Sequence, residues 1–418
     1  MSDYVRRVAG APVGPATPLA SLDIELTERC DNDCIHCCVN LPAGDAAARA
    51  REMTTAEVEG LLDQAADLGC LQVRFTGGEP LLRADFERLY LRARRLGMKV
   101  LLFTNARRLG AGAGGERLAD LLACVPPLLP VEVSVYGMHP ASYEAVARKQ
   151  GSYAQFRRGV ERLLERGVAV IVKAALLPPN RAETEELEAW ARETVGMTQP
   201  VTYAMAFDLR QRRDDPAKDA EIAALRVPPD EVARLLARDA ESWRASMRHV
   251  AAHLLGPPGD ALFACGASCG QGGSLSIDAY GRAQPCGYVR APALTVDVLG
   301  RDDGTASTPG GDPSVVGGVA ATTLGGGPVT LAEALERFAR LGELRATDPE
   351  YLRRCARCFL KGLCEQCPAR SWTEHGVLDK PVEYLCAVTH AQARRLGWLQ
   401  GDEAGWNCPQ WRDRVRAL

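Results

Sequence analysis

Three cysteines near the start of this 418-residue chain have the spacing of a metal-binding loop. Cys30, Cys34 and Cys37 are separated by three and then two residues in the segment LTERCDNDCIHCC. Thiolates are soft ligands that suit zinc, copper(I) and iron–sulfur clusters. Because three thiolates leave one iron of a four-iron cluster without a protein ligand, the segment predicts an open iron–sulfur site. A closed zinc site that recruits His36 or Cys38 is the alternative.

Most of the fifteen cysteines are clustered along the chain. Four lie at 30–38, three at 265–286 and five at 355–386, while Cys70, Cys124 and Cys408 stand apart. Their number is odd and the N-terminal residues lack the apolar core of a signal peptide. We therefore expect metal ligation in a reducing compartment rather than disulfides. Cys70 and Cys124 are predicted to be inert core residues, and Cys408 is given no role.

The elements that position the first cysteines alternate strand and helix. Apolar strand-like runs occupy 22–27, 71–76, 99–105, 131–136, 168–177 and 201–207. The clearest of the helices between them begins after Thr54, where Glu57 completes a capping box. Six such repeats predict an α/β fold with a parallel sheet, either doubly wound or a barrel short of eight strands. In both cases chemistry gathers at the carboxyl ends of the strands.

The rest of the chain divides by composition. We assign 1–20 to an N-terminal extension, 21–208 to the core, 209–262 to a linker with a connecting helix at 228–253, 263–400 to a cysteine-rich domain and 401–418 to a tail. The glycine-rich stretch 291–328 offers little that can form a core, so we expect an exposed, mobile insertion there. A helix follows at 330–344. The tail contains the segment WNCPQW, to which the sequence assigns no role.

Charge and hydropathy limit the range of partners. The formal net charge is −3, which offers no basic surface for nucleic acid or for an anionic membrane. The sequence contains no run of about 18 apolar residues, so it predicts no membrane span. We therefore expect no nucleic-acid partner, no membrane association and a cytoplasmic location.

The cysteine loop after the first strand and the segment GGEP at 77–80 after the second resemble the radical S-adenosylmethionine superfamily. The resemblance implies a partial (β/α)6 TIM-like barrel with a C-terminal extension. It also implies that Cys30, Cys34 and Cys37 hold a 4Fe–4S cluster whose open iron binds S-adenosyl-L-methionine. Reduction of this cluster cleaves the cofactor to a 5′-deoxyadenosyl radical, which abstracts a hydrogen from the substrate.

The same resemblance assigns the cofactor contacts. In the family the glycine motif holds the methionyl ammonium group, because glycines let the backbone approach closely and a carboxylate accepts from the amine. The residues implied to contact the cofactor are Gly77, Gly78, Glu79 and Pro80 of this motif, His36 against the adenine, Asn105, Ser134, and Lys173 as partner of the cofactor carboxylate. A barrel-interior or surface lysine is the alternative for Lys173. The other five histidines are interpreted as structural.

Eight cysteines near the C-terminus resemble the SPASM extension, which carries two auxiliary iron–sulfur clusters. The resemblance implies a first cluster on Cys265, Cys269, Cys286 and Cys367, and a second on Cys355, Cys358, Cys364 and Cys386. Three 4Fe–4S clusters are then expected in all. The chain departs from the family in having two residues, not three, between Cys364 and Cys367. Two structural zinc sites are the alternative, since paired CxxC segments serve zinc equally well.

A core of this kind with a full SPASM extension implies the maturation of a ribosomally synthesised peptide by a thioether, a carbon–carbon crosslink or epimerisation. Sulfatase-type protein oxidation is a rival reaction, although Gly287 stands where those enzymes usually carry aspartate. Small-molecule dehydrogenation is a second rival reaction, and a zinc-stabilised binding scaffold without catalysis is the rival outside the enzymes. Asp208, at the end of the sixth strand, is a candidate acid or base from its position alone.

The same resemblance sets the expected partners. No room is expected before residue 21 for a fused peptide-binding domain. A peptide substrate would therefore dock on the barrel or arrive with a separate leader-binding protein. A flavodoxin- or ferredoxin-type protein is the expected one-electron donor.

Overall fold

A computed structural model of the chain describes residues 19–263, 273–300 and 328–417. Cys265, Cys269 and residues 301–327 of the predicted insertion lie outside the described residues. Within the described part, no helix is both long and apolar enough to cross a membrane.

A mostly parallel sheet forms the centre of the protein. Its strands are β1 (Ser21–Thr27), β4 (Gln72–Gly77), β5 (Lys99–Thr104), β6 (Val131–Val135), β7 (Val170–Ala175), β8 (Thr202–Ala204), β9 (Ser274–Ile277), β10 (Arg282–Gln284) and β11 (Val296–Asp297), while β2 (Arg29–Cys30) and β3 (Leu41–Pro42) form a separate ladder. The order across the sheet is β11-β10-β9-β1-β4-β5-β6-β7-β8. Strands β1 and β4 to β8 are parallel neighbours. This arrangement confirms the predicted α/β fold with six parallel strands.

The cysteine-rich region extends the same sheet on the other side of β1. Strand β9 pairs in parallel with β1, with Ser21 opposite Ser274 and Ile24 opposite Ile277. Strands β10 and β11 then follow in antiparallel order. The strand that leads into the first cysteines is therefore held between the barrel core and the C-terminal region.

The two faces of the sheet differ in polarity. Side chains alternate between faces along a strand, and in β1 Leu22, Ile24 and Leu26 are fully buried in the main core. The opposite face carries half-buried polar side chains, namely Asp23, Glu25, Arg74, Thr76, Glu132, Ser134 and Lys173. Parallel sheets usually bury apolar side chains on both faces. This face therefore differs from the apolar face that is expected on both sides of a parallel sheet, and it offers polar groups for a functional site.

Helices connect the strands and surround the sheet. Those between β1 and β8 are Ala46–Arg51, Thr55–Asp67, Phe86–Arg95, Arg107–Gly110, Gly112–Cys124, Pro140–Ala147, Ser152–Glu165 and Thr184–Glu193. Those that follow are Pro216–Leu225, Pro229–Leu236, Ala240–His253, Leu331–Ala339, Pro349–Arg353, Pro368–His375, Glu383–Arg395 and Trp411–Arg416. The predicted capping box is present: the Thr54 amide donates to the Glu57 carboxylate at 2.7 Å, and the Glu57 amide donates to Thr54 Oγ1 at 3.3 Å.

Two expectations about the second half need correction. The connecting helix predicted at 228–253 is two helices, because Asp239 accepts from the Ser242 amide at 3.0 Å and caps a new helix start. The insertion predicted from residue 291 does not begin there. Residues 291–300 contain a 3-10 turn and β11, and they bury Leu294 and Val296, because pairing with β10 gives these side chains a place in the core.

Candidate active site

The three-cysteine loop leaves the end of β1 and is fixed by backbone contacts to a neighbouring helix. The Asp33 amide donates to Ala147 O at 2.9 Å and the Ile35 amide to Val146 O at 3.0 Å. Cys34 is buried, and Cys30 and Cys37 are half-buried. Burial raises the pKa values of the Cys30 and Cys34 thiols. Since thiolates are the ligating form, these thiols fit a site in which bound iron supplies the compensating positive charge.

Side chains from the end of β5 hold this loop in place. The Arg107 guanidinium donates to the Asp31 carbonyl and, at 2.9 Å, to Asn32 Oδ1. Asn105 Nδ2 donates to Asp31 Oδ1 at 2.8 Å and lies 3.8 Å from Cys30 Sγ. The structure therefore places Asn105 beside the cysteine loop, where it is already bound to a carboxylate. Sequence reasoning missed Arg107 and Asp31, although both stand next to predicted site residues.

The two motif glycines pack against protein backbone. The Gly78 amide donates to Thr27 O at 2.6 Å and the Glu79 amide to Arg29 O at 2.9 Å. A Cβ on Gly77 would lie 2.1 Å from Thr27 O, and Gly77 has φ of +133°, which favours glycine. The sequence explained these glycines by close approach to a ligand. In the structure they allow the end of β4 to contact the start of the cysteine loop.

Glu79 is fully buried and accepts three hydrogen bonds from the protein. Its Oε1 accepts from the Leu81 amide at 3.1 Å and from Thr104 Oγ1 at 2.8 Å, and its Oε2 accepts from the Asn105 amide at 2.8 Å. An ionised carboxylate offers about four acceptor positions, so one is left for an ammonium donor. Burial raises the pKa of Glu79 to about 7, and the charge of Asp31 adds to the rise. Pro80 follows in a 3-10 turn and is buried.

We predict that the affinity for S-adenosylmethionine depends on pH through Glu79. A protonated carboxyl has lost the negative charge that attracts the ammonium group. With a pKa of about 7, the free protein carries this proton at lower pH, and binding must displace it. The Kd should therefore rise about tenfold per pH unit below pH 7 and stay nearly constant just above it. Calorimetric titration of reconstituted protein measures this. Glu79→Gln should bind more weakly with a flat profile, and an equally steep profile in that variant would contradict the assignment.

His36 lies among aromatic side chains within the cysteine loop. Its ring centre is 5.5 Å from that of Tyr136 and 5.3 Å from that of Phe207. Burial lowers its pKa to about 4, with a further contribution from Lys218, so the imidazole is neutral. Its buried Nδ1 has no hydrogen-bond partner among the described residues. These aromatic surroundings fit the position against an adenine that the resemblance implies for His36.

Ser134 and Lys173 are opposite one another on β6 and β7, on the polar face of the sheet. The Lys173 ammonium forms a 2.7 Å ion pair with Glu132. Its charge is therefore already matched within the sheet. The structure thus places both residues on the polar face of the sheet.

Four of the C-terminal cysteines line one small cavity of about 20 Å³. Cys355, Cys358, Cys364 and Cys386 line it, together with Lys361, Gln366, His390 and Trp406. The described residues contain no group of three or more His, Cys, Asp or Glu side chains positioned around a single metal ion. A 4Fe–4S cluster takes one thiolate on each iron, so its ligands need not converge on one point. The structure thus brings together the four predicted ligands of the second auxiliary cluster.

The other predicted auxiliary site is partly described. Burial raises the pKa of Cys286 to about 11, and the neighbouring Cys367 contributes to the rise. Cys367 therefore lies near Cys286 and lines no part of the four-cysteine cavity. Cys265 and Cys269, their predicted partners, lie outside the described residues. The short spacing between Cys364 and Cys367 thus directs neighbouring cysteines to different places.

The remaining cysteines divide between core and surface. Cys70 is buried and its thiol donates to Gln72 O at 3.1 Å, as expected of an inert core residue. Cys124 was predicted to be in the core but is exposed, because it is the last residue of its helix. Cys408 is buried in a separate apolar cluster with Trp398 and Phe359.

A group of polar side chains around Asp208 is near both Cys38 and Cys286. Asp208 forms a 3.0 Å ion pair with Arg370, whose guanidinium is 5.8 Å from the ring centre of Tyr288. Burial raises the pKa of Asp208 although Arg370 opposes the rise. Burial also raises the pKa of Tyr288, and the charges of Asp208, Cys38 and Cys286 contribute to it. Asp208 and Cys38 are therefore neighbours of Tyr288, which is also a neighbour of Cys286.

Comparison with known proteins agrees with the class that this barrel and cysteine loop define. Residues 24–191 match the family model of the Radical SAM superfamily. Residues 24–191 are therefore a radical SAM domain by similarity, and the predicted resemblance is confirmed for this part of the chain. The family implies S-adenosylmethionine and one 4Fe–4S cluster.

Two curated relatives share the same name. The PqqA peptide cyclase of Xanthomonas axonopodis pv. citri (strain 306) is 37% identical over 178 residues, which are 43% of this chain and 45% of that protein. The PqqA peptide cyclase of Streptomyces rochei is 37% identical over 138 residues, 33% of this chain and 34% of that protein. The matches thus span less than half the length of these relatives.

Two solved structures share the fold over most of the chain. Native anSMEcpe with bound AdoMet superposes with a TM-score of 0.57 and 14% identity, covering 95% of this chain and 99% of that one. Streptococcus suis SuiB bound to precursor peptide SuiA superposes with a TM-score of 0.56 and 15% identity, covering 89% and 76%. At these identities the likeness shows the fold.

Proposed function

We propose that this chain is a radical S-adenosylmethionine enzyme that modifies a ribosomally synthesised peptide and carries two auxiliary 4Fe–4S clusters. The observation that carries the proposal is the convergence of sites on one sheet. The three-cysteine loop and the glycine motif contact each other at the ends of β1 and β4, and β9 joins β1 to the region that carries the other cysteines. Its homologues named as peptide cyclases, together with a structural neighbour bound to a precursor peptide, support a peptide substrate.

The proposed roles of the residues follow from their positions. When bound, the cluster and S-adenosylmethionine supply the one-electron cleavage that generates a hydrogen-abstracting radical. Cys30, Cys34 and Cys37 ligate the iron, Glu79 accepts from the methionyl ammonium, and His36 faces the adenine. Arg107 and Asn105 keep the cysteine loop in position through Asp31, as the outer hydrogen-bond partners of metal ligands do.

We propose that the substrate binds against the polar face of the sheet and against Asp208, Arg370 and Tyr288. A peptide lying there would place a reacting carbon between Cys37 and Cys286. Asp208 is the candidate acid or base, with Arg370 orienting it through their ion pair. We propose that the peptide arrives alone or with a separate leader-binding protein, and that a flavodoxin- or ferredoxin-type protein supplies the electron. Thioether formation, carbon–carbon crosslinking and epimerisation are the candidate modifications.

Metal analysis combined with a cysteine variant tests the proposal. Anaerobically purified protein should contain roughly twelve irons per chain if three clusters are present. Changing Cys30, Cys34 and Cys37 together to alanine should leave roughly eight irons and abolish 5′-deoxyadenosine formation. Mostly zinc in the wild type would favour the scaffold alternative, and persistent 5′-deoxyadenosine in the triple variant would refute the central assignment. Mass analysis of a co-expressed peptide from a neighbouring small reading frame then tests the substrate.

A further inference from the structure

The C-terminal segment 404–411, which contains WNCPQW, lies directly against the four-cysteine cavity. Gly405 O accepts from the Phe359 amide at 3.0 Å, immediately after Cys358. A Cβ on Gly405 would lie 2.4 Å from Cys358 Sγ, so only glycine lets the backbone pass this close to the thiol. The Gly405 amide donates to His390 Nε2 at 3.0 Å. Gly405 therefore connects the segment to the cavity at two places, beside Cys358 and at His390.

Trp406 closes the next part of the cavity. It is one of the lining residues, and its ring centre is 5.2 Å from that of His390. The Arg354 guanidinium lies 4.8 Å from the Trp406 ring and donates to Cys386 Sγ at 3.4 Å. His390 Nδ1 in turn lies 2.7 Å from Cys386 O. Trp406 thus packs on the two side chains that surround Cys386.

The end of the segment is anchored away from the cavity. The Trp411 ring stacks on Phe359 with centres 4.9 Å apart and planes 8° from parallel. Cys408 is buried between these groups and Trp398. Since stacked aromatic pairs and buried side chains both resist opening, the segment is held on the cavity and does not behave as a free tail.

We propose that residues 404–411 form the outer wall of the second auxiliary cluster site. In this role the segment excludes water and oxygen from the cluster and keeps Cys358 and Cys386 in their ligating positions. Solvent exposure and hydrogen bonds to the sulfurs are main determinants of cluster properties. This inference rests on the proposed function in one respect, namely that the four cysteines hold an iron–sulfur cluster.

Removal of the Trp406 ring tests the wall in the reconstituted full-length chain. In the presence of a chelator, Trp406→Ala should lose about a third of its iron, which is the share of one cluster in three. This fraction should be lost roughly tenfold faster than from the wild type. The electron paramagnetic resonance signal of the reduced auxiliary cluster should also show new coupling to exchangeable deuterons in heavy water. Trp406→Phe should return both readouts toward the wild type. Gln410→Ala is the matched control, because Gln410 is exposed in the same segment and makes no capping bond.

The possible outcomes distinguish a failure of the wall inference from a failure of the proposed auxiliary clusters. If the wild type holds roughly twelve irons but Trp406→Ala releases iron at the wild-type rate with no added deuteron coupling, the wall inference is wrong. If the wild type holds only about four irons, the auxiliary clusters and the wall fail together. Should Trp406→Ala unfold, Gly405→Ala provides a second test, since its Cβ points at Cys358 Sγ. This variant should remove the signal of the second auxiliary cluster and retain the signal of the cluster on Cys30, Cys34 and Cys37.

Discussion

Alanine in place of Gly78 should lower the rate of S-adenosylmethionine cleavage by at least about 100-fold, since displacements of about 1 Å at an active site cost this much. The added Cβ would lie 2.3 Å from Arg29 O and 2.5 Å from Glu28 O. These are backbone atoms at the start of the cysteine loop, so they cannot rotate aside as a side chain does. The loop must move, and Cys30 moves with it. The strain should also reduce the free energy of unfolding by about 1–3 kcal/mol.

The helix Thr55–Asp67 offers a matched control for this change. Gly60 lies within that helix and has no atom within 4 Å of an added Cβ. Gly60→Ala should therefore leave cleavage unchanged and raise the free energy of unfolding by up to about 1 kcal/mol, because alanine is the better helix former. Denaturant unfolding and the rate of 5′-deoxyadenosine formation measure both effects. Wild-type cleavage in Gly78→Ala would show that the loop tolerates displacement and that the contact is not required.

What the sequence predicted well is local in the chain. The Thr54 capping box depends on residues three apart, and the cysteine loop on residues within one short segment. Both could be recognised without knowing which strands are neighbours. The six strands were found for the same reason, since an apolar run between helices is a local signal. Their order in the sheet follows from the short, right-handed connections of such folds.

What the sequence did not predict depends on residues far apart in the chain. Arg107 reaches the cysteine loop only because β5 ends beside it, and Gly405 meets Cys358 from a tail that had no assigned role. Residues 291–300 precede a glycine-rich stretch, and the sequence predicts the same exposed insertion for them. Leu294, Val296 and Val298 of this segment are buried, and β11 pairs with β10, which is distant from the start of the sheet in the chain. The contact of Gly78 is of the same kind, because the backbone that approaches it, Thr27 to Arg29, lies about fifty residues earlier in the chain.

Arg290 is the second position where we expect a large effect, and here the measured quantity is stability. Its guanidinium is buried and forms an ion pair with Glu25 of β1, and it lies 3.3 Å from Asp278 Oδ2 and 3.1 Å from Gln211 Oε1. Burial raises the pKa of Glu25 although Arg290 opposes the rise. Replacing Arg290 by methionine therefore leaves a buried carboxylate without its cation. The free energy of unfolding should fall by about 3–5 kcal/mol near neutral pH.

The sign of the pH dependence distinguishes this cause from lost packing. A carboxyl whose pKa is higher in the folded state binds more protons folded than unfolded, so its variant becomes less stable as pH rises through that interval. Arg290→Met should therefore recover part of its loss in mild acid, and Glu25→Gln should relieve it further in the double variant. Arg282→Met is the control, because Arg282 pairs with the same Asp278 at 2.8 Å from a more exposed position and should cost less than about 1 kcal/mol. If both arginine variants lost the same free energy of unfolding at every pH, the prediction would be wrong. The buried Arg290–Glu25 pair would then not hold β1 to the C-terminal strands as its contacts indicate.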